Sequence, residues 1–195
     1  MSKNDVLKHI MVTEVEHEAI VTDKKGRVIN VLRFRARSWL YNFIAWLYGV
    51  LTNNSADLRV SGGSYVTFTP DELKNIYLMG GAGEVYGIMW GADSSSPTPT
   101  DYDLVSPYTE SELAKHAMTA AEPAVEEGTS YFTLERKTDN VAGRDIVIYE
   151  VGLYARLYSY TTEYAVLLLR DVISGGFTVP ADATLTWRIK PKVTT

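Results

Sequence analysis

Residues 144–160, RDIVIYEVGLYARLYSY, and 163–173, EYAVLLLRDVI, decide the fold of this 195-residue chain. Both runs are dense in Val, Ile, Leu and Tyr, and Thr161-Thr162 between them marks a turn, so they predict two long neighbouring strands. Alternation along the first puts Glu150, Gly152 and Tyr154 on one face and Val151, Leu153 and Ala155 on the other. Working outward, TSYFTLERK (129–137), FTV (177–179) and ATLTWRIKP (183–191) continue the strand pattern, with another turn at Asp139-Asn140. From Gly128 onward no segment has helical periodicity. The crossovers of a parallel, doubly wound sheet have nothing to run through, which disfavours that class.

Upstream, residues 10–21 and 27–36 are rich in strand formers and are separated by the turn Asp23-Lys24-Lys25-Gly26, which predicts a hairpin. A four-residue loop with Gly26 in the left-handed position pairs Thr22 with Arg27. Glu14 then faces Arg35 and Glu16 faces Arg33 as a charge ladder. The other face buries Val15 on Phe34, His17 against Leu32 and Val21 on Val28. From Ser38 the period changes: Trp39, Leu40, Phe43, Ile44, Leu47, Val50 and Leu51 predict one broad apolar face of a helix, ended by Thr52-Asn53-Asn54-Ser55. A strand is expected around SYVTFT. Thr69-Pro70-Asp71-Glu72 carries a Thr cap, a first-turn proline and an acid three after the cap, predicting a helix through Met79. EVYGIMWG (84–91) predicts a strand and ADSSSPTPTDYD (92–103) a long loop. Thr109-Glu110-Ser111-Glu112 is a second capping box, predicting a short helix towards Met118. The expectation is a mainly β chain: an antiparallel, jelly-roll-like β-sandwich with an N-terminal hairpin, one amphipathic helix and one or two short helices. It would form a single domain over residues 1–195, with a hairpin-helix subregion at 1–55.

Composition narrows the function classes. Apolar residues make up 46% and charged residues 22%, ordinary values for a folded chain. Twenty-four acids against nineteen bases leave a net charge of −5, which does not favour nucleic acid. The one basic stretch, Lys24, Lys25, Arg27, Arg33, Arg35 and Arg37, is accounted for by the hairpin ladder rather than a phosphate-binding stripe. Without cysteine there is no disulfide, thiolate nucleophile or Cys-ligated metal. The sequence MSKNDVLKHIMVTEVEHE lacks an apolar core with a cleavage site, so no signal peptide is expected. Trp39–Leu51 falls short of the ~20 residues of a membrane span, and no membrane contact is expected.

Motifs for chemistry fail in detail. Gly80-Gly81-Ala82-Gly83-Glu84-Val85-Tyr86-Gly87 has Tyr86 where a dinucleotide fingerprint needs glycine, and a strand follows rather than a helix. His9, His17 and His116 share no metal-ligand spacing. Asp93, Asp101 and Asp103 lie in one loop but lack the EF-hand pattern. No serine stands in GxSxG. The expectation is a non-enzymatic protein with no catalytic, cofactor or metal residues and no small-molecule ligand. Glu150 and Arg170 are placed to form a buried pair between neighbouring strands that fixes register. Gly152 is placed to admit the close approach of another group.

Several segments, in order, resemble a family of virion structural proteins from tailed phages and related archaeal viruses. A strand, basic segment and helix are matched around Arg33–Leu51. A glycine-containing strand and Gly/Ser/Thr/Pro loop are matched by Gly87-Ile88-Met89-Trp90-Gly91, Ser95-Ser96-Pro97-Thr98-Pro99-Thr100-Asp101 and Leu104. A Glu-Val-Gly-Leu-aromatic core is matched by Glu150-Val151-Gly152-Leu153-Tyr154, and a Leu-Leu-x-Arg strand by Leu167-Leu168-Leu169-Arg170. The terminal Trp-centred strand is matched by Thr184-Leu185-Thr186-Trp187-Arg188-Ile189. The resemblance implies a particle component, made in the host cytoplasm and located in the virion. It would assemble with other virion proteins and with copies of itself, as capsid turret or decoration, neck, tail or fibre base. The alternative is a carbohydrate- or receptor-binding module of a viral fibre, for which Tyr86, Trp90, Tyr102 and Tyr108 would form an exposed aromatic platform.

Overall fold

The computed structural model describes residues 14–194 apart from residues 37 and 127. The expected strand residues 10–13, His9 and Arg37 therefore lie outside the described residues. The chain is mainly β. Its elements are β1 (Glu14–Thr22), β2 (Val28–Ala36), α1 (Tyr41–Thr52), β3 (Ala56–Arg59), β4 (Tyr65–Phe68), α2 (Pro70–Lys74) and β5 (Gly87–Gly91). There follow β6 (Leu113–Lys115), β7 (Thr119–Glu126), β8 (Thr129–Asn140), β9 (Ile146–Ser159), β10 (Thr162–Val179) and β11 (Thr184–Thr194). One antiparallel sheet runs β2-β1-β11-β8, with β6 and β7 both on the outer side of β8; a second runs β10-β9-β5; β3 and β4 form a separate hairpin.

Alternation explains the core in β1, β5 and β11, while in β9 an irregularity in its pairing with β10 changes the phase between Ile148 and Val151. Val15, Ala19 and Val21 of β1 and Leu185, Trp187 and Ile189 of β11 are buried together with Ile88 and Trp90 of β5, Ile148 and Val151 of β9 and Leu169 of β10. Residues of both sheets thus share one apolar cluster. A second cluster lies under α1, where Phe43 meets Leu58 and Phe68 of the β3–β4 hairpin, Leu73 of α2 and Leu157 and Leu168 from the long strands.

The first helix departs from its expected face. No side chain caps its start. Instead the Leu40 and Tyr41 amides donate to the Leu168 and Pro99 carbonyls, so tertiary partners satisfy the helix entrance. Asn53 ends it in the left-handed conformation. Ile44 and Leu51 are exposed, whereas Asn42 is buried. The Asn42 amide donates to the Arg59 and Leu167 carbonyls and accepts from the Arg59 amide. A polar side chain thus staples the helix to β3 and β10.

Two further expectations are corrected. The Thr69 capping box is present, but its helix stops at Lys74, because Tyr77 pairs with Arg156 as a β-bridge. The second capping box closes only one turn: Thr109 donates its amide and hydroxyl to the Glu112 carboxylate, the Glu112 amide donates to the Thr109 carbonyl, and β6 starts at Leu113 by pairing with β8. Strand pairing there outcompetes helix propagation from a single nucleus.

Candidate functional site

The site with the densest polar chemistry is built by the loop after β5 and the two long strands. β5 ends at Gly91, where the chain leaves the sheet and returns alongside itself. The Ala92 amide donates to the Ser106 carbonyl and the Tyr108 amide to the Trp90 carbonyl. A Cβ on Gly91 would stand 2.6 Å from that Ser106 carbonyl, so the position requires glycine. Arg170 on β10 and Glu150 on β9 lie beneath the returning loop. Arg170 pairs in register with Gly152 and Glu150 with Val172, so the two side chains meet diagonally. Arg170 Nε is 2.9 Å from Glu150 Oε2, and both residues are buried.

Each partner also holds the loop. Glu150 accepts from the Val105 and Ser106 amides at 3.2 and 2.8 Å. Arg170 reaches Asp101 at 2.9 Å, Asp93 at 3.4 Å and the Ser95 carbonyl at 3.2 Å. Two of the three loop acids that could have formed a cation site, Asp93 and Asp101, thus converge on a guanidinium, while Asp103 accepts from the Ser61 hydroxyl and the Gly62 amide. Burial tends to raise the Asp101 pKa, but the Thr98 hydroxyl and amide and Arg170 outweigh it and hold the carboxyl below its ordinary value. The Ser95 hydroxyl and amide, then Arg170, hold Asp93 low as well. Four residues further along β9 than Glu150, the Tyr154 hydroxyl accepts from the Leu104 amide at 2.7 Å and donates to Asp103 at 3.3 Å. Gly152 sits between them. A Cβ there would come within 2.9 Å of both Leu104 and Leu167.

A second buried guanidinium was not anticipated. Arg136 on β8 is fully buried and donates to the carbonyls of Tyr86, Ile88, Gly81, Glu84 and His116. Burial pulls its pKa down to about 10, opposed by the charges of Glu110 and Glu84. It fastens the segment before β5 as Arg170 fastens the segment after it. The sequence signal was its period-two spacing from Leu134 and Thr138 on the inward face of β8.

Across the sheets, His17 of β1 lies within 2.8 Å of Asp171 on β10, and the Trp187 indole donates to its Nδ1 at 3.2 Å. An indole can only donate, so Nδ1 is the acceptor and Nε2 carries the hydrogen that faces Asp171. All three side chains are buried.

On the outer face of the larger sheet the hairpin ladder has shifted by two residues. Glu16 faces Arg35, Glu18 faces Arg33, His17 faces Phe34 and Val15 faces Ala36. The expected pairs Glu14–Arg35 and Glu16–Arg33 are replaced, although Arg35 still reaches Glu14 diagonally at 3.8 Å. The Asp23 amide bonds the Arg27 carbonyl, leaving a three-residue loop, and a bulge beside Thr22 adds a second offset. Two one-residue offsets restore the faces, so the burial pattern alone could not separate the registers. The ladder also extends further than the hairpin: Arg33, Glu18, Arg188 and Glu135 form one row over β2, β1, β11 and β8, with contacts of 2.6–2.7 Å.

The aromatic platform is corrected. Trp90 and Tyr86 are buried; the Tyr86 hydroxyl donates to Glu163, and Tyr108 donates to the Val147 carbonyl. Tyr102 lies under the Arg59 guanidinium, 4.0 Å from its ring centre. These rings pack the loops down, so they present no common face. A separate apolar cavity of about 230 Å³ lies between α1 and the sheets, with Trp39, Phe43, Trp46, Leu78, Phe132 and Leu168 in its wall. No acid, base or nucleophile lines it among the described residues. No family model, curated protein or solved structure matches the chain.

Proposed function

We propose that the chain is a non-enzymatic structural component of a virus particle, assembling through protein–protein contacts on the capsid exterior or tail. In this reading its two larger sheets form an antiparallel, jelly-roll-like sandwich. The supporting observation is the convergence of segments that carry the virion-protein resemblance. Gly91, Asp101, Leu104, Glu150, Gly152, Tyr154 and Arg170 are scattered over 80 positions of sequence, yet they meet in one clamp. The clamp's polar groups are spent on one another and on loop amides, which leaves no carboxylate aimed into a cavity as a general acid or base. Such an arrangement stiffens a loop rather than transforming a ligand.

The surface supports assembly as well. Tyr41, Ile44, Tyr48 and Leu51 form an exposed stripe along α1, and Val28, Ile29 and Val31 are exposed on the edge strand β2. The test is quantitative mass spectrometry of purified particles of the virus that encodes this chain. The expected result is a fixed copy ratio to the major capsid protein that survives a high-salt wash. Absence from washed particles would contradict the proposal.

A further inference from the structure

Among the described residues the larger sheet ends in two edge strands of opposite charge, β2 and β7. Among the described residues β2 pairs only with β1, and β7 only with β8. β2 carries Arg33 and Arg35 and follows Arg27, and no acid occurs between Asp23 and Asp57. β7 carries Glu122 and Glu126, and no Lys or Arg occurs between Lys115 and Arg136. Both edges are exposed and partly apolar: Val28 is 60% exposed and Val125 75%. An exposed strand of this kind is a template for pairing with another chain.

The outer-face ladder says which charge belongs beside β2. Basic β2, acidic β1, basic β11 and acidic Glu135 of β8 alternate strand by strand. The next strand outside β2 continues that alternation only if it is acidic. A second β2 would instead bring arginines against arginines. Four antiparallel steps separate β2 from β7 within the sheet, so the two edge strands run in the same direction.

We infer that β2 of one copy pairs with β7 of a second copy, head to tail and parallel, continuing the sheet from subunit to subunit. The inference deepens the assembly reading above and rests on it. Such a contact is heterologous, so it closes into a ring or extends as a filament according to the rotation between copies. Pro123 and the bulge between Ala121 and Ala124 divide β7 into two short runs. Each run adds few backbone bonds, which keeps the contact reversible.

Charge swaps test this directly, read by sedimentation of the full chain over a concentration series at low and high salt. Wild type is expected to form species larger than a dimer as concentration rises to about 1 mM, less readily at high salt. Arg35→Glu alone and Glu126→Lys alone should each need about tenfold more protein to associate, and an equimolar mixture of the two should recover wild-type behaviour. Thermal melts establish that each variant is folded; if Arg35→Glu is not, Glu126→Lys on the fully exposed β7 carries the test. A wild type that stays monomeric to about 1 mM overturns the inference. So does a Glu126→Lys variant that associates like wild type, the outcome expected if two β2 strands pair instead. Either result leaves the particle measurement above untouched, so the two proposals fail separately.

Discussion

At the scale of single residues, this protein puts its most expensive groups where they tie chain to chain. Arg136 is satisfied by five carbonyls and Arg170 by carboxylates and a loop carbonyl. Removing either cation leaves its acceptors without their donor, the fully buried Glu150 among them. Arg170→Met should therefore lower unfolding stability by about 3–5 kcal/mol, measured by urea denaturation, because Glu150 is left buried without its partner. A loss below about 1 kcal/mol, the range of an exposed pair, would show that water reaches the clamp. Gly152→Val should cost about 2 kcal/mol or more by the same measurement. The added carbons must displace Leu104 and Leu167, both buried, and an unchanged melting temperature would mean the loop yields freely. The strand spacing that made Glu150, Gly152 and Arg170 legible in the sequence also put Arg136 on an inward face. What spacing could not supply was its acceptors, which are backbone carbonyls and leave no mark in side-chain identity.

Among the elements, the strands and their faces were legible and the register was not. Period-two alternation identified the inward row of β1, including His17. The slip of two arose from a three-residue turn plus a bulge, each invisible to a pattern that repeats every second residue. A double-mutant cycle distinguishes the registers: Glu18 with Arg33 should show a coupling of about 0.2–1 kcal/mol, and Glu16 with Arg33 almost none. The failed helix after Thr109 teaches a related lesson, because a capping box specifies a first turn and tertiary pairing decides whether a second follows. The loop after β5 also carries a pH dependence. Asp101 and Asp93 titrate below the ordinary aspartate value of 3.8. Their contribution is fully present above that value and is lost as pH falls through their lower folded values. Proteolysis within residues 92–106 should accelerate in strong acid before β11 is exposed. Loop cleavage that rises already between pH 7 and 5 would place the controlling group elsewhere.

For the whole molecule, residues of both sheets share one apolar cluster, and the polar His17–Asp171–Trp187 line crosses between them. His17→Phe should destabilise by about 3 kcal/mol because Asp171 is left buried without its partner. Adding Asp171→Leu should recover much of that loss, since removing both polar groups strands neither; failure to recover would show that Asp171 has further work. Sequence reading placed His17 inside, but its partners lie more than 150 positions away: the pairing of β11 with β1 brings in Trp187, and β10 of the other sheet brings in Asp171. Distant motif residues form one clamp that ties the long loop into the framework of the two long strands. Amide hydrogen exchange at Leu104, Val105 and Ser106 tests it most directly. In wild type these amides, bonded to Tyr154 and Glu150, should be protected nearly as well as those of β11. In Arg170→Met their protection should fall at least about tenfold further than that of Trp187. Loop amides that exchange freely in wild type, or that follow β11 unchanged in the variant, would contradict the account.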